Sequence, residues 1–185
     1  MTYITTTATV SADIDFVQQG TSTYSRAFTN LQGSIGYSVG LIGGSGSGDR
    51  EIDCIYNLAG YVIPSGETRE YNFRSLSQGA FGASYTIALT GMKAMIIRNH
   101  NTGIREILHL KATGLGFSGL FHGESGNVRI EPGGAYSYTN PYFGLAVPVN
   151  ESKLQITNVG SGSGAQNYNT GIAVSIVAAG TSGLG

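Results

Sequence analysis

The run Asn127-Val-Arg-Ile-Glu-Pro-Gly-Gly-Ala-Tyr-Ser-Tyr-Thr-Asn140 constrains the fold more than any other part of the chain. A short alternating segment reaches Pro132-Gly133-Gly134, reverses, and restarts at Tyr136. Proline presets φ and glycine supplies the conformations closed to other residues, so this tripeptide between extended segments marks a turn. Further extended segments are expected at Gly144 to Val147, Lys153 to Asn158 and Thr170 to Ala178. Turn signals at this spacing leave no room for a long helix and predict antiparallel sheet.

The same cadence runs through the rest of the chain. Residues 2–10 are threonine-rich and read as a strand or extended arm. In Ala12 to Gln18, Ile14 and Phe16 alternate with Asp13 and Asp15, the period of a half-buried strand. Strands are also expected near Ile35 to Leu41, over Arg50 to Ile63, around Tyr71 and Phe73, at Tyr85 to Leu89, at Lys93 to Asn99 and at Ile104 to Lys111. Gly43 to Gly48 reads as a flexible connection, and Gly114 to Gly126 as a loop tucked in by Leu115, Phe117, Leu120 and Phe121. There is an internal echo. Ile63-Pro64-Ser65-Gly66 precedes Tyr71 as Ile130 to Gly134 precedes Tyr136 and Tyr138, and Ile97-Arg98-Asn99 is matched by Ile156-Thr157-Asn158.

About ten strands with long loops predict an all-β chain: one antiparallel β-sandwich over 1–185, jelly-roll-like, with an N-terminal arm (1–10) and a flexible C-terminal tail (180–185). A chain of this length buries roughly 70% of the surface it would expose unfolded. Charged residues are 11% of the composition, under half the usual share of about 25%. Few charges and 29 glycines suit a hydroxyl-rich surface partly covered by other subunits. The net charge of -1 and the scattered Lys93, Lys111 and Lys153 argue against nucleic acid as a partner. No stretch reaches the roughly 20 apolar residues of a spanning helix, and the first ten residues lack the pattern of a secretion signal.

Candidate chemistry is sparse. Cys54 alternates with Ile52 and Tyr56 and reads as a small buried hydrophobe rather than a nucleophile. His100, His109 and His122 lack the close spacing of a zinc site. Asp13 with Asp15, and Asp49, Glu51 and Asp53 around Arg50, carry oxygens for calcium but match no calcium loop. The glycine clusters at 43–48 and 160–164 lack the Lys and Ser/Thr of a phosphate loop. No nucleophile elbow stands between a strand and a helix, so the protein is expected not to be an enzyme and to use no cofactor. Tyr136, Tyr138, Tyr142 and Phe143 lie close together and form the candidate binding or subunit-contact surface, for a glycan or for protein. Alternation alone would set Tyr136 and Tyr138 on one strand face, covering core or a subunit contact.

Several segments together resemble a group of small virion proteins of tailed phages. They are Ile52 to Gly60, Val62 to Gly66, Met95 to Asn99, Val128 to Gly134, Leu154 to Asn158 and Ile172 to Ile176, spread over roughly residues 50–180. The resemblance implies a β-sandwich that decorates or cements a capsid or forms short head fibres. It implies a symmetric, non-enzymatic part of a virion, with a homotrimer favoured and capsid or other virion proteins as partners. A glycan- or receptor-binding fibre module and a self-assembling filament subunit are the alternatives.

Overall fold

The structure is a computed structural model that describes residues 7–18, 31–43, 51–80, 83–103, 106–113, 120–121, 127–140, 142–149, 153–159 and 171–182. Among these, the regular elements are strands: β1 (Thr7–Gln18), β2 (Leu31–Gly43), β3 (Glu51–Ile52), β4 (Cys54–Ile63), β5 (Thr68–Asn72), β6 (Leu76–Ala80) and β7 (Ala83–Ile87). They continue with β8 (Gly91–Asn99), β9 (Leu108–Thr113), β10 (Asn127–Ile130), β11 (Ala135–Thr139), β12 (Leu145–Ala146), β13 (Lys153–Asn158) and β14 (Ile172–Thr181).

Two antiparallel sheets pack face to face as a β-sandwich. One runs β10-β9-β13-β5; the other runs β11-β8-β14-β4, with β12 also paired to β8. Their pairing is nested. β4 pairs β14, β5 pairs β13, β8 pairs β11 and β9 pairs β10. Two further ladders, β14 to β8 and β13 to β9, join these ribbons side by side.

Period-two alternation builds the core. In β13, Leu154, Ile156 and Asn158 are buried between partly exposed Gln155 and Thr157. In β14, Ile172, Val174 and Ile176 turn inward between Ala173 and Ser175. Met92, Met95 and Ile97 of β8 meet Leu108 and Leu110 of β9 in one apolar cluster. Each such side chain contributes roughly 1.5–3 kcal/mol on burial, so the inter-sheet layer is the main stabilising term. The outer face of the four-stranded sheet is polar: Thr68 and Thr157 share a 2.8 Å hydroxyl contact, and Glu70 accepts from Lys153 and Gln155.

Two buried asparagines fasten one end of the sandwich. Asn99 Nδ2 donates to Glu106 O (2.6 Å) and Glu131 O (3.3 Å), and its N–H donates to Gly134 O. Asn158 Nδ2 donates to Ile63 O (2.9 Å), and its carbonyl accepts Gly66 N–H.

Several boundaries differ from the expectation. Thr7 to Val10 of the expected arm pair with Val39 to Ile42 as the start of β1, and Gly180 and Thr181 of the expected tail are strand. Residues 1–6 and 183–185 lie outside the described residues. So do Gly44 to Gly48, Leu115, Phe117 and the 160–164 glycines, while Leu120 and Phe121 are buried as expected. The strand expected from Ile104 begins at Leu108. The hairpin of β6 and β7 has a first strand, Leu76-Ser-Gln-Gly-Ala80, with no alternation to announce it.

Candidate interaction surface

The nested pairing sends three chain excursions to one end of the sandwich: β5 to β8, β9 to β10, and β11 to β13. The last of these leaves β11 at Asn140. Asn140 N–H donates to Lys93 O (2.8 Å), and Gly144 N–H returns to Asn140 O (2.9 Å). The side chain completes the turn: Oδ1 accepts Phe143 N–H (3.3 Å) and Nδ2 donates to Gly144 O (3.4 Å). Asparagine does this because its short amide mimics a peptide group. Gly144 has φ +69°, which glycine adopts without steric cost, and a Cβ there would press on Met92 O at 3.3 Å.

Beyond the turn the chain is tied down again. Leu145 and Ala146 pair with Met92 and Gly91 as β12. Val147 is buried, its N–H donates to Thr90 O (2.9 Å), and its carbonyl accepts Arg74 Nε (2.7 Å). Between and after these anchors three apolar side chains face solvent: Tyr142 (56% exposed), Phe143 (93%) and Val149 (73%). Among the described residues the other exposed large hydrophobics, Val62, Val159 and Val177, are each less exposed than these. Scattered exposed hydrophobics are ordinary; three on one anchored stretch form the candidate contact surface. Anchoring also lowers the ordering cost of binding, since the turn is already built.

The four aromatics expected to act together are divided. Tyr136 and Tyr138 stand opposite Ile97 and Met95, on the core side of β11, and pack against the core cluster. Tyr136 Oη donates to Leu120 O (2.7 Å), and its ring meets Phe121 at 5.2 Å and 60°. Burial pushes the phenols of both tyrosines above their ordinary range. Tyr142 and Phe143 alone of the four face outward, so the platform expected at this place is half its expected size. The reason is the period of two, which commits Tyr136 and Tyr138 to the core face before the turn begins.

The other candidates are also located. Cys54 is half-buried with Sγ 3.5 Å from Gly180 O; burial, aided by the hydrogen bond and charge of Asp53, pushes its thiol up to about 12. A thiol so protonated is a poor nucleophile at neutral pH. Asp53 spends its carboxylate on the residue after β14, accepting Ser182 N–H (2.7 Å) and Ser182 Oγ–H (2.8 Å). His100 Nε2 lies 2.7 Å from Ser175 Oγ on the outer face of the five-stranded sheet. His109 pairs with Arg129 and Thr157 across the other sheet. His122, Asp49 and Arg50 lie outside the described residues, and the backbone alone places Asp13 and Asp15, in β1. Among the described residues no three His, Cys, Asp or Glu side chains gather as a metal site. No helix among them is long and apolar enough to cross a membrane.

Sequence reasoning missed Asn140, Arg74 and Val149 as parts of the surface. The Asn-Pro step at 140–141 followed by Gly144 was the available turn signal. Arg74 carried none, because its partner Val147 is a long way along the chain. No protein-family model, no curated protein and no solved structure matches this chain.

Proposed function

We propose that this chain is a virion structural protein, a jelly-roll capsid decoration or cement protein that works as a homotrimer. The observation that carries the reading is the nested strand pairing. Taking β4, β5, β8, β9, β10, β11, β13 and β14 as strands one to eight, first pairs with last and so on inward, across two sheets of four. That order supports a double Greek key, the winding used by viral capsid and lectin domains. The resemblance of residues 50–180 to tailed-phage virion proteins favours the capsid side of that pair.

The β11–β13 excursion supports a protein contact over a sugar site. A stacking platform needs exposed aromatic faces, and Tyr136 and Tyr138 spend theirs in the core. Phe143 has no polar handle for a hydroxyl-rich ligand, whereas an exposed rigid aromatic suits an apolar notch between shell subunits. Filament growth by donation of the N-terminal arm has less support, since Thr7 to Gln18 already pair with β2. Cementing would act through linkage: a protein that binds only the assembled shell stabilises that state by its binding free energy.

The test is location. Purified particles should contain the chain in fixed proportion to the shell proteins, and its absence from them would sink the proposal. Sedimentation at micromolar concentration should give three times the chain mass; a strict monomer would remove the trimer.

A further inference from the structure

Among the described residues, the outer face of the five-stranded sheet carries an apolar cover at one end. There Leu41 of β2 and Ile52 of β3 pack with Ala94 and Ala179, with Ile55 beside them. Toward the other end no described residue outside the sheet packs on it in an apolar cluster, and Arg98 and Val177 are exposed. Ile97, Val174 and Ile176 are fully buried, so their chain neighbours Ile96, Arg98, Ser175 and Val177 turn outward. Arg98 stands directly opposite Ser175, and Ile96 opposite Val177.

The chemistry of this face is one-sided. None of its strands, β4, β8, β11, β12 or β14, contains an acidic residue. The three ion pairs among the described residues are Arg69–Glu67, Arg129–Glu131 and Lys153–Glu70, and Arg98 takes part in none of them. Beside Arg98, Ser175 Oγ accepts Gly60 N–H (3.1 Å) and contacts His100 Nε2 (2.7 Å). Gly60, at φ +63°, forms the bulge that aims this amide at Ser175. The result is an exposed guanidinium next to a fixed hydroxyl, with Val177 (38% exposed) and Ile96 as an apolar floor.

We infer that this face docks a protein partner through a carboxylate: an aspartate or glutamate side chain set between small apolar residues, gripped by Arg98. Arginine presents two parallel N–H groups that match a carboxylate, a geometry lysine lacks. Ser175 supports the grip from the adjacent strand, and the floor of Val177 and Ile96 takes the flanking side chains. With no carboxylate in its own strands, the sheet itself offers no acid to compete for Arg98 or to repel the partner. The inference rests on charge and is separate from the particle assignment: peptide docking can fail while the chain is found in virions, and the reverse.

The test is NMR titration of the full chain with the blocked peptide acetyl-Val-Glu-Val-amide and with its glutamine counterpart. The glutamate peptide should shift the Arg98 side-chain N–H and the Ser175 and Gly60 amides. The glutamine peptide should bind about tenfold more weakly or worse, as should the glutamate peptide to Arg98→Met, whose melting temperature should match the parent. Equal shifts from both peptides would overturn the inference. Equal shifts from inorganic sulfate would reduce the place to a simple anion contact and overturn docking. Self-association of the chain that vanishes in Arg98→Met would make the occupant a second copy and overturn the partner assignment.

Discussion

Asn99 and Asn158 end equivalent strands in the two halves of the sandwich, and each clasps the turn that opens the opposite half. Asn99, at the end of β8, holds the Glu131 to Gly134 turn between β10 and β11. Asn158, at the end of β13, holds the Ile63 to Gly66 turn between β4 and β5. The equivalence carries β4 onto β10, β5 onto β11 and β8 onto β13, exchanging the two sheets. It gives the echo of Ile-Arg-Asn in Ile-Thr-Asn a shared structural cause, and it sets Gly66 and Gly133, both at positive φ, in the same place of the two turns. Both asparagines are essentially fully buried, where an amide is kept only if its hydrogen bonds are met.

Removing either amide should therefore cost stability. Asn158→Ala leaves Ile63 O without its donor, and Asn99→Ala strips Glu106 O, Glu131 O and the Asn101 N–H that Oδ1 accepts at 3.1 Å. Urea denaturation should show losses of about 1–3 kcal/mol, larger for Asn99. Equal stability in both variants would remove the clasp as a structural device.

Glycine at two positions should fail for different reasons. A Cβ on Gly180 would fall on the carbonyl oxygen of Gly91 in the neighbouring strand, so Gly180→Ala must push β14 from β8. The expected loss is about 3 kcal/mol, the upper end for overpacking. Gly133 has open space around it but φ +73°, so Gly133→Ala should lose about 1–2 kcal/mol through backbone strain alone. Thermal melts of the two variants should keep that order.

Alkaline pH should weaken the fold. Burial pushes Cys54 to about 12 from 9.0, with Asp53 adding to it. Burial pushes Tyr71 to about 12 from 10.0, helped by Tyr56 and Tyr61 and opposed by Arg69. Below these ordinary values both groups are neutral whether the chain is folded or not, and they cost nothing. As pH rises toward 12 the unfolded chain loses these protons first, so stability falls. Denaturation at about pH 8 and about pH 10.5 should show this, with a smaller fall in Cys54→Ala and in Tyr71→Phe. A flat or rising profile in the parent would contradict the assignment.

How much of this was legible follows from what alternation encodes. The Lys153 to Asn158 strand matches its expected limits, because Leu154 and Ile156 mark the buried face and Asn158 the end. The sandwich itself was legible for the same reason. β6 was not, since Ser, Gln and Gly carry no periodic signal, and its partner β7 supplies the pairing. The aromatic surface was half legible. Composition brought Tyr136, Tyr138, Tyr142 and Phe143 together, but only the core packing of β11 decides that the first two turn inward. The Arg98 face was invisible, because the absence of acids across five strands appears only when the topology makes them one sheet.

The surface residues should separate stability from attachment. Phe143→Ser touches nothing that holds the fold, so its stability should stay within about 0.5 kcal/mol of the parent. Its retention on particles should nevertheless fall, because the side chain removed is the most exposed apolar group of the anchored turn. Asn140→Ala should weaken both, by freeing the turn that presents Tyr142 and Phe143.

The central claim is that the chain is a repeated part of a virion, and quantitative mass spectrometry of purified particles tests it most directly. The account predicts a fixed copy ratio to the shell proteins, with the Phe143→Ser form depleted. Particles that contain every shell protein and none of this chain would contradict it.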